Sequence, residues 1–185
     1  EDLAATALVG ITAHLGLFLK AGLMPGETVL VNGGSGGVGS MVVQMAKAAG
    51  ARVLATAGSV DRCAAVRRLG ADEVFDYHAA DLVQQITAAA PSGIDLDWET
   101  VRSPDLDAII SRLADQGRVV LMAGRDARPE FPVGPFYVKG CSIHGFVMFK
   151  APAASQRRCA EDIGRWLASG ELKANIAVRM PLREA

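Results

Sequence analysis

Short unbroken apolar runs alternate along this chain with segments whose apolar residues recur every three or four positions. Val29, Leu30 and Val31 form one run, and Val38, Val42, Met45, Ala46 and Ala49 form the helical stripe behind it. A strand buried on both faces has the first pattern, and a helix covering a sheet has the second. The same alternation predicts strands at Arg52 to Thr56, Glu73 to Asp76, Ile94 to Trp98 and Arg118 to Ala123. A sixth at Cys141 to Phe149 alternates enough to be an edge, and Ile176-Ala-Val178 reads as a last short strand. Helices are expected from Leu3 to Lys20, ending near Gly22, and from Val60 to Leu69 behind a Ser59 N-cap. Others are expected from about Ala80 to Ala90, from Pro104 to about Gln116, and on the stripe Cys159, Ile163, Trp166 and Leu167 up to Gly170. Arg125 to Phe136, with three prolines, reads as a long loop. Strands alternating with helices predict an α/β fold, a doubly wound parallel sheet between helical layers.

Between the first central strand and its helix stand Gly33, Gly34, Gly36, Gly37 and Gly39. Gly34, Gly36 and Gly39 fill G-x-G-x-x-G in the strand–turn–helix setting that makes it a dinucleotide signal. The glycines permit a tight turn and close approach of a pyrophosphate, and the helix N-terminus offers free N–H groups and partial positive charge. The fold expected is therefore a Rossmann sheet of order 3-2-1-4-5-6 in three layers (α/β/α). A P-loop is excluded because Ser40, not Lys, follows Gly39. A short-chain dehydrogenase is excluded because Tyr77 and Tyr137 are followed four places on by Asp81 and Cys141, not by Lys.

The nucleotide is read at the end of the second strand. An NAD site places Asp or Glu about 20 residues past the glycines, yet Leu54 to Ser59 contains no acid. Ser59 and Arg62 can donate to a 2′-phosphate there. Asp61 keeps NAD open, although its place at the helix start favours a capping role.

Composition narrows the picture. The 185 residues fit about one domain, and 50% are hydrophobic. A net charge of −1 gives no electrostatic case for nucleic acid or an anionic membrane. Cys63, Cys141 and Cys159 are scattered and odd in number, as in a reducing, cytoplasmic compartment, and form no zinc or disulfide pattern. Leu3 to Leu19 falls short of the ~20 residues of a membrane span and is expected to be a buried helix. His14, His78 and His144 are read as packed or surface residues.

Taken together, these motifs resemble the nucleotide-binding half of the zinc-independent medium-chain reductases, the NADPH:quinone oxidoreductase or zeta-crystallin group. The resemblance covers nearly the whole chain. It runs through Ala7-Leu-Val-Gly-Ile-Thr12, Pro25-Gly-Glu-Thr-Val-Leu-Val31, Thr56-Ala-Gly-Ser59, Leu69-Gly-Ala-Asp72, Val74-Phe-Asp-Tyr77, Gly117-Arg-Val-Val120 and Pro181-Leu-Arg-Glu-Ala185. It implies NADPH as hydride donor and a quinone or enone as acceptor. It also implies site residues by position: Thr12 toward the nicotinamide half, Gly36, Gly37 and Val38 at the pyrophosphate, and Ser59, Arg62 and Tyr77 at the 2′-phosphate. Gly124 and Phe146 should frame the nicotinamide. Thr100 stands where the family has the second residue of Asp-Ser-Val-Gly, which reads Glu99-Thr-Val-Arg102 here. Zinc-dependent relatives carry a ligand cysteine near Leu8, and this chain has none there. The resemblance further implies a homodimer through Cys141 to Phe149. It divides the chain into a helix at 1–25 linking to a separate substrate domain, an NADP(H)-binding domain at 26–170, and a return segment at 171–185. An acyl-thioester enoyl reductase, or an NADP(H)-binding sensor or structural module without chemistry, are the alternative functions.

Overall fold

The computed structural model describes residues 1–176 and 178–184. The strand expected at 176–178 includes Ala177 and so lies outside the described residues.

Six parallel strands form one sheet: β1 (Thr28–Val31), β2 (Arg52–Ala57), β3 (Glu73–Asp76), β4 (Ile94–Glu99), β5 (Leu113–Leu121) and β6 (Ser142–His144). Their order is β3-β2-β1-β4-β5-β6, as the sequence predicts. Central β1 pairs with β2 on one side and β4 on the other, which explains why Val29, Leu30 and Val31 are all fully buried. The helices are α1 (Asp2–His14), α2 (Gly37–Ala48), α3 (Val60–Arg68), α4 (Leu82–Ala89), α5 (Leu106–Arg112), α6 (Val133–Val138) and α7 (Ala153–Ser169). One core lies between the sheet and α1, α2, α3 and α7, around Val31, Met45, Val53 and Trp98. The second lies between the sheet and α4 and α5, around Leu30, Leu54, Ile109 and Val119.

Several elements depart from expectation for local reasons. The first helix runs from Asp2 through a π-helical turn at Leu15–Lys20. At 19 residues it is long and apolar enough for a membrane span, and it packs along α2 and α7. Helix α5 begins after Pro104, at a cap made by Asp105, whose carboxylate accepts from the Ala108 N–H at 3.0 Å. It stops at Arg112, four residues early. Lys139 Nζ donates to the carbonyls of Ile110, Ser111 and Leu113 at 2.7–3.0 Å and closes its end. A bulge follows, with Gln116 at φ 61°, so that pairing jumps from Ile94↔Leu113 to Leu96↔Arg118. The proline-rich loop contains α6. Strand β6 has three residues instead of nine. Its last partner is Val120, and β5 ends one residue later, leaving nothing for residues beyond His144 to pair with. The chain turns instead into a 3₁₀ turn at Met148–Lys150.

Candidate functional site

The C-terminal ends of β3, β2, β1, β4 and β5 open on a single crevice, built from three adjoining hollows. A hollow of about 570 Å³ runs from Tyr77 and Leu82 past Asn32, Thr56 and Glu99 to Ile109 and Arg112. It shares Gly33 and Thr100 with one of about 300 Å³ lined by Gly36, Gly37, Val38 and Gly39. That one shares Met122 and Ala123 with a third of about 730 Å³ around Gly124 and Arg102. The crevice straddles β1 and β4, where the strand order reverses.

The turn beneath it is fixed from both sides. Gly33 stands at φ 83°, where other residues are strained. Its N–H donates to Thr56 Oγ1 at 3.1 Å, and the Gly34 N–H donates to the Thr56 carbonyl at 2.9 Å. Thr100 Oγ1 donates to the Asn32 carbonyl at 2.7 Å. A Cβ on Gly39 would lie 2.2 Å from the Gly33 carbonyl oxygen, so only glycine lets the helix rest on the turn. Ser40 makes the first helical bond, to the Gly36 carbonyl at 2.9 Å. The N–H groups of Gly37, Val38 and Gly39 precede it and lack intrahelical acceptors. A glycine-rich wall and three N–H groups without intrahelical acceptors fit a dinucleotide pyrophosphate.

At one end of the crevice, Ser59 caps α3, its Oγ accepting from the Arg62 N–H at 3.3 Å, and Arg62 is exposed. Tyr77 lies across Gly58: a Cβ there would meet its hydroxyl at 2.1 Å. Ser59, Arg62 and Tyr77 therefore share one corner. Asp76, the nearby acid on β3, accepts from the His78 N–H at 2.9 Å. Asp61 sits in the first turn of α3, but Ser59 is the cap.

Not every expected residue converges. Gly36, Gly37, Val38, Gly39 and Thr100 line the centre, and Gly124 lines the far end. Gly34 is buried beneath them, where a Cβ would meet Ala55 and Val66 at 3.0 and 3.1 Å. Thr12 is buried, and its hydroxyl donates to the Leu8 carbonyl at 2.8 Å. Phe146 lines a separate hollow with Leu15, Leu19 and Lys20. Trp98 is fully buried against Gly16, as a core residue.

A polar cluster under the crevice was missed. Asn32, Thr56, Asp97 and Glu99 are all buried, and Arg112 reaches Asp97 from α5. Burial pushes the Asp97 carboxyl up, against the opposing pull of Arg112 and Asn32. Burial also raises Glu99, although its carboxylate accepts from the Val101 N–H at 2.5 Å. The signal was the alternation Asp95, Asp97, Glu99 in a strand otherwise expected to be buried. The hollow around Ile86, Ile94 and Lys139 at the other end of the sheet offers no comparable donor set, since the Lys139 ammonium is held by three carbonyls.

Residues 37–166 match the family described as zinc-binding dehydrogenase. Prostaglandin reductase 1 of Rattus norvegicus is 29% identical over 92% of this chain and 54% of its own length. Quinone oxidoreductase of the same species is 33% identical over 98% of this chain and 55% of its own. The solved structure of CurA in complex with NADPH, from Vibrio vulnificus, superimposes with a TM-score of 0.82 and 30% identity, covering 90% of this chain and 53% of that one. The chain spans about half the length of the curated relatives it matches.

Proposed function

The chain belongs to the zinc-binding dehydrogenase family, as a nucleotide-binding domain of the quinone-oxidoreductase-like, medium-chain type, and on that premise we propose that it is the cofactor-holding domain of an NADPH-dependent reductase. Its acceptor is a quinone or an activated C=C, and the chemistry needs no zinc. Bound NADPH supplies the hydride. The chain's own residues bind and orient. The N–H groups of Gly37, Val38 and Gly39 hold the pyrophosphate, and Ser59, Arg62 and Tyr77 hold the 2′-phosphate. Thr100 and the segment from Met122 to Gly124 bound the nicotinamide half. A second domain closes the site against water, which hydride transfer requires.

The observation that carries the choice of nucleotide is the corner beside β2. It presents Ser59, Tyr77 and the exposed Arg62, with no carboxylate between Leu54 and Ser59. A charge-assisted contact there contributes about 1.5–3 kcal/mol, roughly ten- to a hundredfold in affinity. Titrating NADPH and NADH against wild type and Arg62→Ala should show that the substitution weakens NADPH by that factor and leaves NADH unchanged. Equal wild-type affinities for the two cofactors would refute the reading.

We also propose a homodimer through β6. No strand among the described residues pairs with its outer edge, but at three residues it offers few hydrogen bonds. Association therefore draws on the apolar residues nearby in sequence, Val133, Tyr137, Val138, Val147 and Phe149, all exposed. Light scattering should give twice the protomer mass, and Tyr137→Glu with Phe149→Glu should halve it.

A further inference from the structure

We propose that Asp97 and Arg112 are positioning residues for the dinucleotide turn, acting on the pyrophosphate donors through Asn32. The proposal rests on the cofactor reading above.

Asp97 occupies the middle of the sheet, level with Leu30 on β1 and Val119 on β5, and is fully buried. An aliphatic side chain is what those neighbours would pack against. The carboxylate has instead two partners on two elements. Arg112 donates to Oδ2 through Nε at 2.8 Å and Nη2 at 2.7 Å. Asn32 Nδ2 donates to Oδ1 at 2.9 Å.

Asn32 is the last residue before the glycine turn, and its polar groups are engaged in three directions. Its N–H donates to the Trp98 carbonyl at 3.0 Å, its carbonyl accepts from Thr100, and its side chain is set by Asp97. The Asn32 carbonyl and the Gly33 N–H belong to one peptide plane, and Thr56 Oγ1 holds the N–H side. The Gly33 carbonyl then accepts from the Gly36 N–H at 3.0 Å and lies against Gly39. A path of hydrogen bonds, joined through the covalent backbone of Asn32 and Gly33, thus runs from α5 through β4 and β1 to the carbonyl on which the N-terminus of α2 sits. Arg112 and Asn32 also line the same hollow of the crevice.

A core ion pair with no such role would respond differently to substitution. Replacing a buried pair by apolar residues of similar size is often neutral or stabilising. The full-length protein carrying Asp97→Val with Arg112→Leu should therefore lose no more thermal stability than the freed Asn32 amide costs. It should bind NADPH about tenfold more weakly, because Asn32 loses its acceptor and the peptide behind it turns. NADH affinity should fall by the same factor, since the corner at Arg62 is untouched. Asn32→Ala should reproduce the loss in wild type and add nothing in the double variant, as expected for one coupled path. Amide resonances of Gly33, Gly34 and Gly36 should shift in both variants without ligand. A double variant that folds and binds NADPH like wild type would overturn the proposal, as would full additivity with Asn32→Ala. Absence of NADPH binding by wild type would overturn the cofactor reading instead.

Discussion

Gly16 and Trp98 are a matched pair of residues whose meaning is steric. A Cβ on Gly16 would lie 2.3 Å from Trp98 Cη2 and 2.4 Å from Cζ3, with Phe146 Cε1 at 3.1 Å. The indole occupies the space of a missing side chain, and the first helix adopts its π-helical turn at the same place. Gly16→Ala should destabilise by about 1–3 kcal/mol through overpacking. Trp98→Phe introduced with it should recover most of that loss in a urea unfolding comparison. Failure of the second change to recover stability would locate the strain elsewhere. At Gly39 the constraint is backbone against backbone, so no neighbouring side chain can yield.

At the scale of elements, helix α5 is short because its end is closed from a distance. Two carbonyls of its last turn and that of Leu113 just beyond accept from one ammonium, Lys139 Nζ, on the segment before β6. Lys139→Met keeps the aliphatic stem and removes the donors. It should cost about 1–3 kcal/mol, and hydrogen exchange should quicken first at the C-terminal turn of α5. Unchanged exchange there would show that solvent satisfies the carbonyls equally well. The cap on α3 was readable in advance, since Ser59 sits directly before the helical stripe and accepts from the Arg62 N–H. The closure of α5 was not, because its donor lies 26–29 residues away.

The whole molecule is tied together by α1, which packs against α2 and α7. It is linked to α7 by His14 Nε2 with Asp162 Oδ2 at 2.7 Å, beside the rings of Phe18 and Trp166. Burial lowers the His14 pKa below 6.5, and Arg158 adds to this while Asp162 opposes it. Nδ1 is buried with no partner among the described residues, so a proton added there finds no acceptor among them. The unfolded chain therefore takes up the proton first. The stability this histidine contributes is complete above about pH 6.5 and is lost as pH falls through its folded value. A second acid loss follows below the ordinary carboxylate range. Burial alone would raise Glu27 and Asp72, but Arg118 and the Met24 N–H hold Glu27 down, and Lys47 with the Val53 N–H holds Asp72 down. Urea midpoints measured between pH 7.5 and 5.5 should drop in wild type and drop less in His14→Phe, where Arg165 still pairs with Asp162. Equal slopes would remove His14 as the cause.

The sequence alone determined the order of elements, the glycine turn and the strand order, because each follows from short-range periodicity and backbone sterics. β3 was bounded to the residue, and β1 as a run of small apolar residues in the sheet centre. The Ser59 cap was also legible from its place before the stripe, while the proposed phosphate corner of Ser59, Arg62 and Tyr77 rests on resemblance to a family and on the missing acid. Tertiary structure decided the rest. It cut β6 to three residues because its partner β5 ends, stopped α5 through Lys139, bonded the Thr12 hydroxyl to its own helix and set Phe146 beside Leu15 and Lys20. It also turned three acids of β4 to different uses: Asp95 accepts from the Thr28 N–H at 2.7 Å, Asp97 from Asn32 and Arg112, and Glu99 from the loop behind it. Alternation places those carboxylates on one face of a strand, but their partners lie from 2 to 67 positions away in sequence, and only packing brings the distant ones within hydrogen-bond distance.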